Sequence, residues 1–467
     1  MSEIVLAIDI GSTKVCAIIA EIEDGKVQVL GHGISKSQGI KRGVITNIEL
    51  ATKSIKKALA DAKRIAGCNI NSAIVSISNA YAKSLNSTGV VNIPHKDISI
   101  KEINRVMQTA LYNASVPNEY EVVHVLPYNF RVDDQDFIED PFGMNASRME
   151  VDVNIIMTQK SNLSNLKKAV RSAGIEIDGI VLSGYASAIA TMDPDEKELG
   201  IAVVDIGGQT SNLVIHTGNS IRYNNFLGVG SNHITNDLSM ALHTPLQIAE
   251  NVKIRHGNLL ESSNEIIELP IIGDEENRNG VSLEIVHSVI YARVEETLMI
   301  LAKMLEKSAL KEQISAGIIL TGGMTKLKGI RELAQAIFTG MAVRIGYPKN
   351  VDGLFEELKD PAYSTAIGLL LYKAGYHTPY EINFQQEMLH SKSGHEDNLN
   401  DIKIANTVNE VSENKAMKQN TKFSSQENAE NNDSDSPRSF SFEDLPDIKK
   451  EKGSTIKKLT NWAKQLF

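Results

Sequence analysis

Ala7-Ile-Asp-Ile-Gly-Ser-Thr-Lys14 and Val203-Val-Asp-Ile-Gly-Gly-Gln-Thr210 align without a gap. Each runs on into a second apolar strand (Val15–Ala20; Leu213–His216), a glycine turn (Gly25; Gly218) and a third strand. One strand ending in Asp-x-Gly is a weak signal, whereas two copies with matched continuations are a strong one. The repeat predicts two related half-domains that face one another. Around it, residues 1–383 alternate β-rich apolar runs with helical patterns, which specifies an α/β architecture. Ile4–Ile10, Ile74–Ile77, Ile201–Ile206 and Ile318–Leu320 read as buried strands; Thr52–Ala66, Asn165–Ala173, Val289–Leu305 and Leu327–Phe338 read as helices.

A strand ending in this motif gathers free backbone N–H groups at a tight turn, and glycine lets the turn approach an anion closely. In the first copy Gly11 opens the turn, Ser12 and Thr13 add hydroxyl donors, and Lys14 adds a cation suited to terminal phosphates. In the second, Gly207 and Gly208 leave room while Gln209 and Thr210 can donate. Asp9 and Asp205, at the strand ends, are placed to oppose each other and hold Mg²⁺ through its waters. A third strand ends in Thr-Gly-Gly-Met, where Gly322, Gly323 and Met324 could pass beneath a ribose or a flat ring. Glu250 and Lys253 share a helical face and could meet the ribose and the adenine edge. An ordinary i,i+3 ion pair is the alternative for them, as two ordinary hairpin turns are for the repeat.

Composition narrows the rest. A formal charge of −10 over 467 residues leaves no broad basic surface, so nucleic acid is not an expected partner. Cys16 and Cys68 make neither a metal spacing nor a disulfide framework, which points to a reducing compartment. The first residues lack the pattern of a signal peptide, no apolar run is long enough to span a bilayer, and a cytoplasmic location is expected. From residue 384 to 452 the chain is rich in Asn, Ser, Glu, Asp and Lys without a sustained period, as in a disordered linker. Its flexible-coil reach is roughly 45 Å.

Residues 453–467 are expected to regain order. Ile456, Leu459, Trp462, Leu466 and Phe467, with Ala463, fall within an arc of about 140° on a helical wheel. Lys457, Lys458 and Lys464 lie outside that arc. Such a helix is about 21 Å long, too short to cross a bilayer but suited to lying on an anionic membrane surface. Docking on a partner protein, or back on the globular part, is the competing reading.

These residues resemble the actin/Hsp70/hexokinase superfamily: Asp9–Lys14 and Asp205–Thr210 its two phosphate motifs, Leu320–Met324 its adenosine motif. Within it, Gly39-Ile-Lys-Arg-Gly-Val-Ile45, Asp140-Pro-Phe-Gly-Met144 and Ala292-Arg-Val-Glu-Glu296 are similar to the FtsA family of bacterial division proteins. The resemblance implies an actin-like duplicated ATPase fold with an inserted α+β subdomain. The expected first half is 1–83, completed by 160–198 and 360–383; the insert is 84–159 and the second half 199–359. It implies ATP and Mg²⁺ as ligands. The partners it implies are FtsZ (docking on about 230–300), further copies of the chain, anionic lipids and later division proteins, at the cytoplasmic face of the membrane. Gln209 and Asn212 depart from the family's usual Gly and Asp. Leu182-Ser-Gly-Tyr-Ala-Ser-Ala188 offers no carboxylate or amide to orient an attacking water, so at most slow hydrolysis is expected. A kinase of the same superfamily is the alternative, and no carboxylate of the sequence stands out as its catalyst. An Hsp70-like chaperone would need a β-rich domain where the polar linker stands.

Overall fold

The computed structural model describes residues 2–390 apart from Asn219, so the terminal helix and the expected linker beyond His390 lie outside the described residues. The first half opens on an antiparallel meander, β1 (Glu3–Ile10), β2 (Lys14–Glu23) and β3 (Lys26–Lys36). A small hairpin follows, β4 (Ile40–Lys41) with β5 (Val44–Ile45), then α1 (Ile48–Ala66) and β6 (Ser72–Ile77). The Asn47 side chain accepts the Leu50 N–H, which starts α1 four residues ahead of the expected Thr52, and Gly67 ends it in the left-handed region.

Between β6 and the rest of the first half lies the insert. Its elements are β7 (Ala82–Asn92), α2 (Ile100–Asn113), β8 (Tyr120–Val132), β9 (Gln135–Ile138) and β10 (Arg148–Gln159). The strands pair in the order β7-β10-β8-β9, and α2 packs on them to form a separate core around Met107, Met149 and Val151. The expected boundary at Ser84 falls inside β7. The first half resumes with α3 (Lys160–Ser172), β11 (Glu176–Leu182), α4 (Ser183–Thr191) and α5 (Pro194–Leu199).

The second half begins with the same meander: β12 (Ile201–Ile206), β13 (Ser211–Thr217) and β14 (Ser220–Leu227). Then come α6 (Ser231–Ala241), α7 (Leu246–His256), β15 (Ile266–Ile271), β16 (Asp274–Ser282), α8 (Leu283–Lys307) and β17 (Gly317–Thr321). Next is a 3₁₀ turn over Gly323–Lys326, then α9 (Ile330–Ile337), β18 (Val343–Ile345) and α10 (Ser364–Leu371). Leu327 is extended and Gly329 left-handed, so the helix expected from Leu327 starts only at Ile330.

The two sheets have one topology. Read from the edge, β3-β2-β1-β6-β11 matches β14-β13-β12-β17-β18, with two antiparallel pairings followed by two parallel ones in each. Even the register repeats: Asp9 lies across from Cys16 and Ile10 from Val15, as Asp205 does from Asn212 and Ile206 from Ser211. α4 from Gly184 onward and the whole of α10 are buried, and the two helices lie against one another. Their backbones touch at Gly368, where a Cβ would fall 1.8 Å from the Ala186 carbonyl oxygen.

The insert also touches the second half. Asn154 Nδ2 donates to the Ile221 carbonyl (2.8 Å) and Arg222 lies over the Tyr128 ring (4.5 Å). After α10, Tyr380 and Ile382 join the core of the insert, and Phe384 and Leu389 pack on the first half. Residues 384–390 are thus held to the folded part, although the linker is expected to begin at 384.

Candidate functional site

Each meander turn is closed by one backbone hydrogen bond from its glycine: Gly11 N–H to Lys14 O (3.0 Å) and Gly207 N–H to Thr210 O (2.8 Å). The two turns meet, since a Cβ on Gly208 would lie 1.7 Å from Thr13 Oγ1. Gln209 reaches across the halves, its Oε1 accepting the Arg42 N–H (2.8 Å), and Ser12 Oγ accepts the Gly43 N–H (2.8 Å). The start of α6 caps the second turn: the Ser231 and Asn232 N–H groups donate to the Gly207 and Gly208 carbonyls (3.0 and 2.7 Å).

Asp9 and Asp205 stand at the ends of equivalent strands. Asp9 is buried and accepts from Ser76 Oγ (2.8 Å); Asp205 accepts from Ser187 Oγ (2.6 Å) and Thr365 Oγ1 (3.4 Å). Burial pushes both carboxyls above the ordinary aspartate range. For Asp9 the Lys14 charge and Ser76 offset part of that rise, and for Asp205 Ser187, Lys14 and Thr365 do so. Lys14 itself donates to the Ala362 carbonyl and lies 4.4 Å over the Tyr363 ring. The three charged groups are therefore brought together, with Lys14 tethered to the segment ahead of α10.

Other expected residues are placed differently. Met324 is buried in the core of the second half. Gly322 is needed by the protein itself: its φ is +89°, and a Cβ there would fall 2.4 Å from Asp205 Oδ1. Gly323 has open space, with Ala362 Cβ 3.6 Å from where its own Cβ would stand. Lys253 Nζ donates to Glu250 (2.7 Å), Thr235 Oγ1 (2.9 Å) and the Ser231 carbonyl (3.2 Å), so the pair ties α7 to the start of α6. Lys253 is buried and Glu250 half-exposed.

Sequence reasoning missed Ser76, Ser187 and Thr365, the hydroxyls that hold the two aspartates. A lone serine inside Ala73-Ile-Val-Ser-Ile77 was the available signal for the first; Ser187 and Thr365 sit in small-residue helices that give none.

The donor set suits a magnesium–phosphate ligand. Among the described residues no three His, Cys, Asp or Glu side chains cluster to hold a metal by themselves. Mg²⁺ commonly takes one or two carboxylates and completes its shell with phosphate and water. A buried carboxylate (Asp9) and a partly buried one (Asp205), both at raised pKa, with a lysine and paired glycine turns, match that need. Asn212 Oδ1, across the ladder from Asp205, is buried with no hydrogen-bond partner among the described residues.

The duplicated sheets and their central helix pair define an actin-like ATPase fold. A solved structure of the PilM-PilN type IV pilus biogenesis complex shares it with a TM-score of 0.57 at 16% identity, over 79% of this chain and 98% of that one. A family model described as cell division protein FtsA matches residues 202–368, and one for the SHS2 domain inserted in FtsA matches 79–157. The cell division protein FtsA of Helicobacter pylori (strain J99) is 42% identical over 81% of this chain and 83% of its own length. That of Pseudomonas aeruginosa is 38% identical over 79% and 89%. The chain belongs to the FtsA family of cell division proteins.

Proposed function

We propose that the chain binds ATP with Mg²⁺ between its two meander turns and works as a membrane-attached scaffold of division. On this reading it tethers FtsZ filaments to the cytoplasmic face of the membrane, assembles with further copies of itself and recruits later division proteins. The observation that carries the nucleotide reading is the convergence of Asp9, Asp205 and Lys14 on two glycine turns of identical register. Bound Mg²⁺ would neutralise phosphate charge there. Gly11, Ser12, Thr13 and Lys14 would meet the terminal phosphates from one side, and Gly207, Gly208, Gln209 and Thr210 from the other. Gly322, Gly323 and Glu250 would border the nucleoside, with Lys253 acting through Glu250.

The scaffold reading rests on family membership and on the amphipathic pattern of residues 453–467. No described helix is long and apolar enough to cross a membrane, which agrees with attachment at its surface. One short helix holds weakly, so several chains in one assembly would share attachment through effective concentration. The test is co-sedimentation with anionic vesicles and FtsZ filaments, with and without residues 454–467, alongside a fluorescent-ATP titration. Vesicle binding that survives the deletion would overturn the attachment, and absence of saturable ATP binding would overturn the nucleotide reading.

A further inference from the structure

The hairpin of β4 and β5 is an addition to the duplicated plan: it separates β3 from α1, whereas β14 leads straight into α6. Ile40 pairs with Ile45 and Lys41 with Val44, which leaves Arg42 and Gly43 as a two-residue turn. Both have positive φ, +47° and +77°, as a type I′ turn requires. Such a turn ordinarily takes Asn-Gly or Asp-Gly, because asparagine and aspartate tolerate the left-handed region. Glycine is required at the second place here, where a Cβ would fall 2.0 Å from Ser78 Oγ. No comparable contact calls for arginine at the first. A long side chain is held in a conformation that costs it energy, and strain of that sort collects at functional sites.

The two central N–H groups of such a turn lie outside the strand ladder and ordinarily face water. Here both are taken by the phosphate turns, that of Arg42 by Gln209 of the second half and that of Gly43 by Ser12 of the first (2.8 Å each). Each bond fixes what its partner has left to offer. Gln209 must turn Oε1 toward the donor, so its Nε2 is directed elsewhere as a donor. Ser12 accepts through Oγ and keeps its own proton to give. One hairpin tip thus presents both side chains as donors, one from each half.

Arg42 also carries charge toward the second half. A Cβ on Gly228 would stand 3.7 Å from Arg42 Cδ. His233, in the first turn of α6, has a pKa lowered by burial and then by the charges of Arg293 and Arg42. Arg293 is neutralised by Asp237 and Glu296 (2.5 Å each). Arg42 is exposed and has no carboxylate partner among the described residues. Its cation stands beside the junction of the two turns, open to an anion from outside the chain.

We propose that the Arg42–Gly43 turn is a third wall of the phosphate site, and that Arg42 makes the site select a nucleoside triphosphate over a diphosphate. Given ATP·Mg²⁺ between the meander turns, which is the reading it rests on, the backbone of the hairpin aims Ser12 and Gln209 whichever nucleotide is bound. The guanidinium gains a partner only with the triphosphate, whose terminal phosphate brings the charge that a diphosphate lacks. The strain at Arg42 is then what it takes to hold a guanidinium where asparagine would sit more easily.

Arg42→Asn separates the two roles. It removes the charge while installing a residue the turn prefers, so without nucleotide the variant should melt no lower than the parent. Affinities of the full-length chain for ATP·Mg²⁺ and ADP·Mg²⁺ are measured by displacement of fluorescent ATP. The preference for ATP, taken as the ratio of the two dissociation constants, should fall about fivefold in Arg42→Asn, the scale of one partly exposed charge contact, with ADP affinity changed less than about twofold. Arg42→Glu should lower the preference further, since a like charge then faces the terminal phosphate. Gly43→Ala, through its collision with Ser78, should displace the turn and weaken ATP and ADP together.

A parent with no preference for ATP would overturn the proposal, as would an Arg42→Asn chain that keeps the parent's preference or weakens both nucleotides alike. So would Arg42→Glu no worse than Arg42→Asn, or a lost preference accompanied by a melting temperature well below the parent's. Each of these results leaves nucleotide binding itself standing. A parent that binds neither nucleotide would overturn the nucleotide reading and the selectivity with it.

Discussion

Replacing Gly368 by alanine should disturb the molecule at its centre. The new Cβ would stand 1.8 Å from the Ala186 carbonyl oxygen and 2.4 Å from its carbon, where contacts under 3.0 Å essentially never occur. The obstacle is backbone, so no rotamer change relieves it. α4 and α10 must part by roughly 1.2 Å, enough to forfeit a quarter to a half of the dispersion energy along their contact. Overpacking of this kind costs about 3 kcal/mol, a fall in melting temperature of roughly 4 °C for a folded part of this size. The separation also pulls Ser187 from Thr365, whose hydroxyls lie 2.8 Å apart and both serve Asp205, so ATP·Mg²⁺ should protect the variant less. Gly323→Ala is the matched control, its Cβ meeting only Ala362 Cβ at 3.6 Å. Thermal melts with and without ATP·Mg²⁺ decide the matter. If Gly368→Ala melts within about 1 °C of the parent, or Gly323→Ala is the worse of the two, the reasoning fails.

The remaining expectations concern charge and access. Asp205 has a folded pKa above its ordinary 3.8, so the fold takes up its proton more readily than the unfolded chain does. The charged form then costs stability at neutral pH, a cost that fades as pH falls through the raised value; Asp205→Asn should gain about 1 kcal/mol without nucleotide while weakening ATP·Mg²⁺ binding. Urea melts should show that gain at pH 7.5 and progressively less of it as the pH is lowered through the raised value, and a parent more stable than the variant at pH 7.5 would refute the sign. Glu381 has the opposite sign: its pKa lies below 4.5, so its contribution is present above that pH and is lost in acid. Gly207→Asp should abolish fluorescent-ATP binding by setting a like charge against phosphate, and wild-type affinity would remove the second turn from the site. Trp462→Glu should release the full chain from anionic vesicles at any concentration tested, and retained binding would count against a membrane role for the terminal helix.

Much of the fold was legible because it is written twice. Asp9 and Asp205 mark equivalent strand ends, and an apolar run that stops at Asp-x-Gly fixes both the strand and its turn. Local chemistry was harder to read at helix starts. Asn47 caps α1 ahead of Ile48 and Leu50, a stretch too exposed to join the apolar stripe. Met324 follows two glycines as a ligand-facing residue would, yet it turns inward because the 3₁₀ turn at Gly323 rotates it into the core. The Glu250–Lys253 spacing correctly gives an ion pair, but not that Lys253 is buried to serve Ser231 and Thr235. Residues 384–389 read as the beginning of a polar linker, since the partners that hold them, Asp178 for Gln385 and Lys167 for Phe384, are far away in sequence.

Identical register in the two meanders has a consequence for how the chain reaches its native state. β1–β3 and β12–β14 are each joined by tight turns and can close early, whereas the strands that complete the sheets arrive late. The whole insert separates β6 from β11, and α6 through α8 separate β14 from β17. Non-local parallel pairings are slow because loop closure must come first. During that interval two similar apolar edges, β1 and β12, both lack a parallel neighbour, and β6 and β17 are each of a length to fit either. The order of synthesis favours the correct choice, since β6 emerges while β12 does not yet exist. Refolding from denaturant removes that advantage, so the isolated chain should refold less completely than it folds on the ribosome.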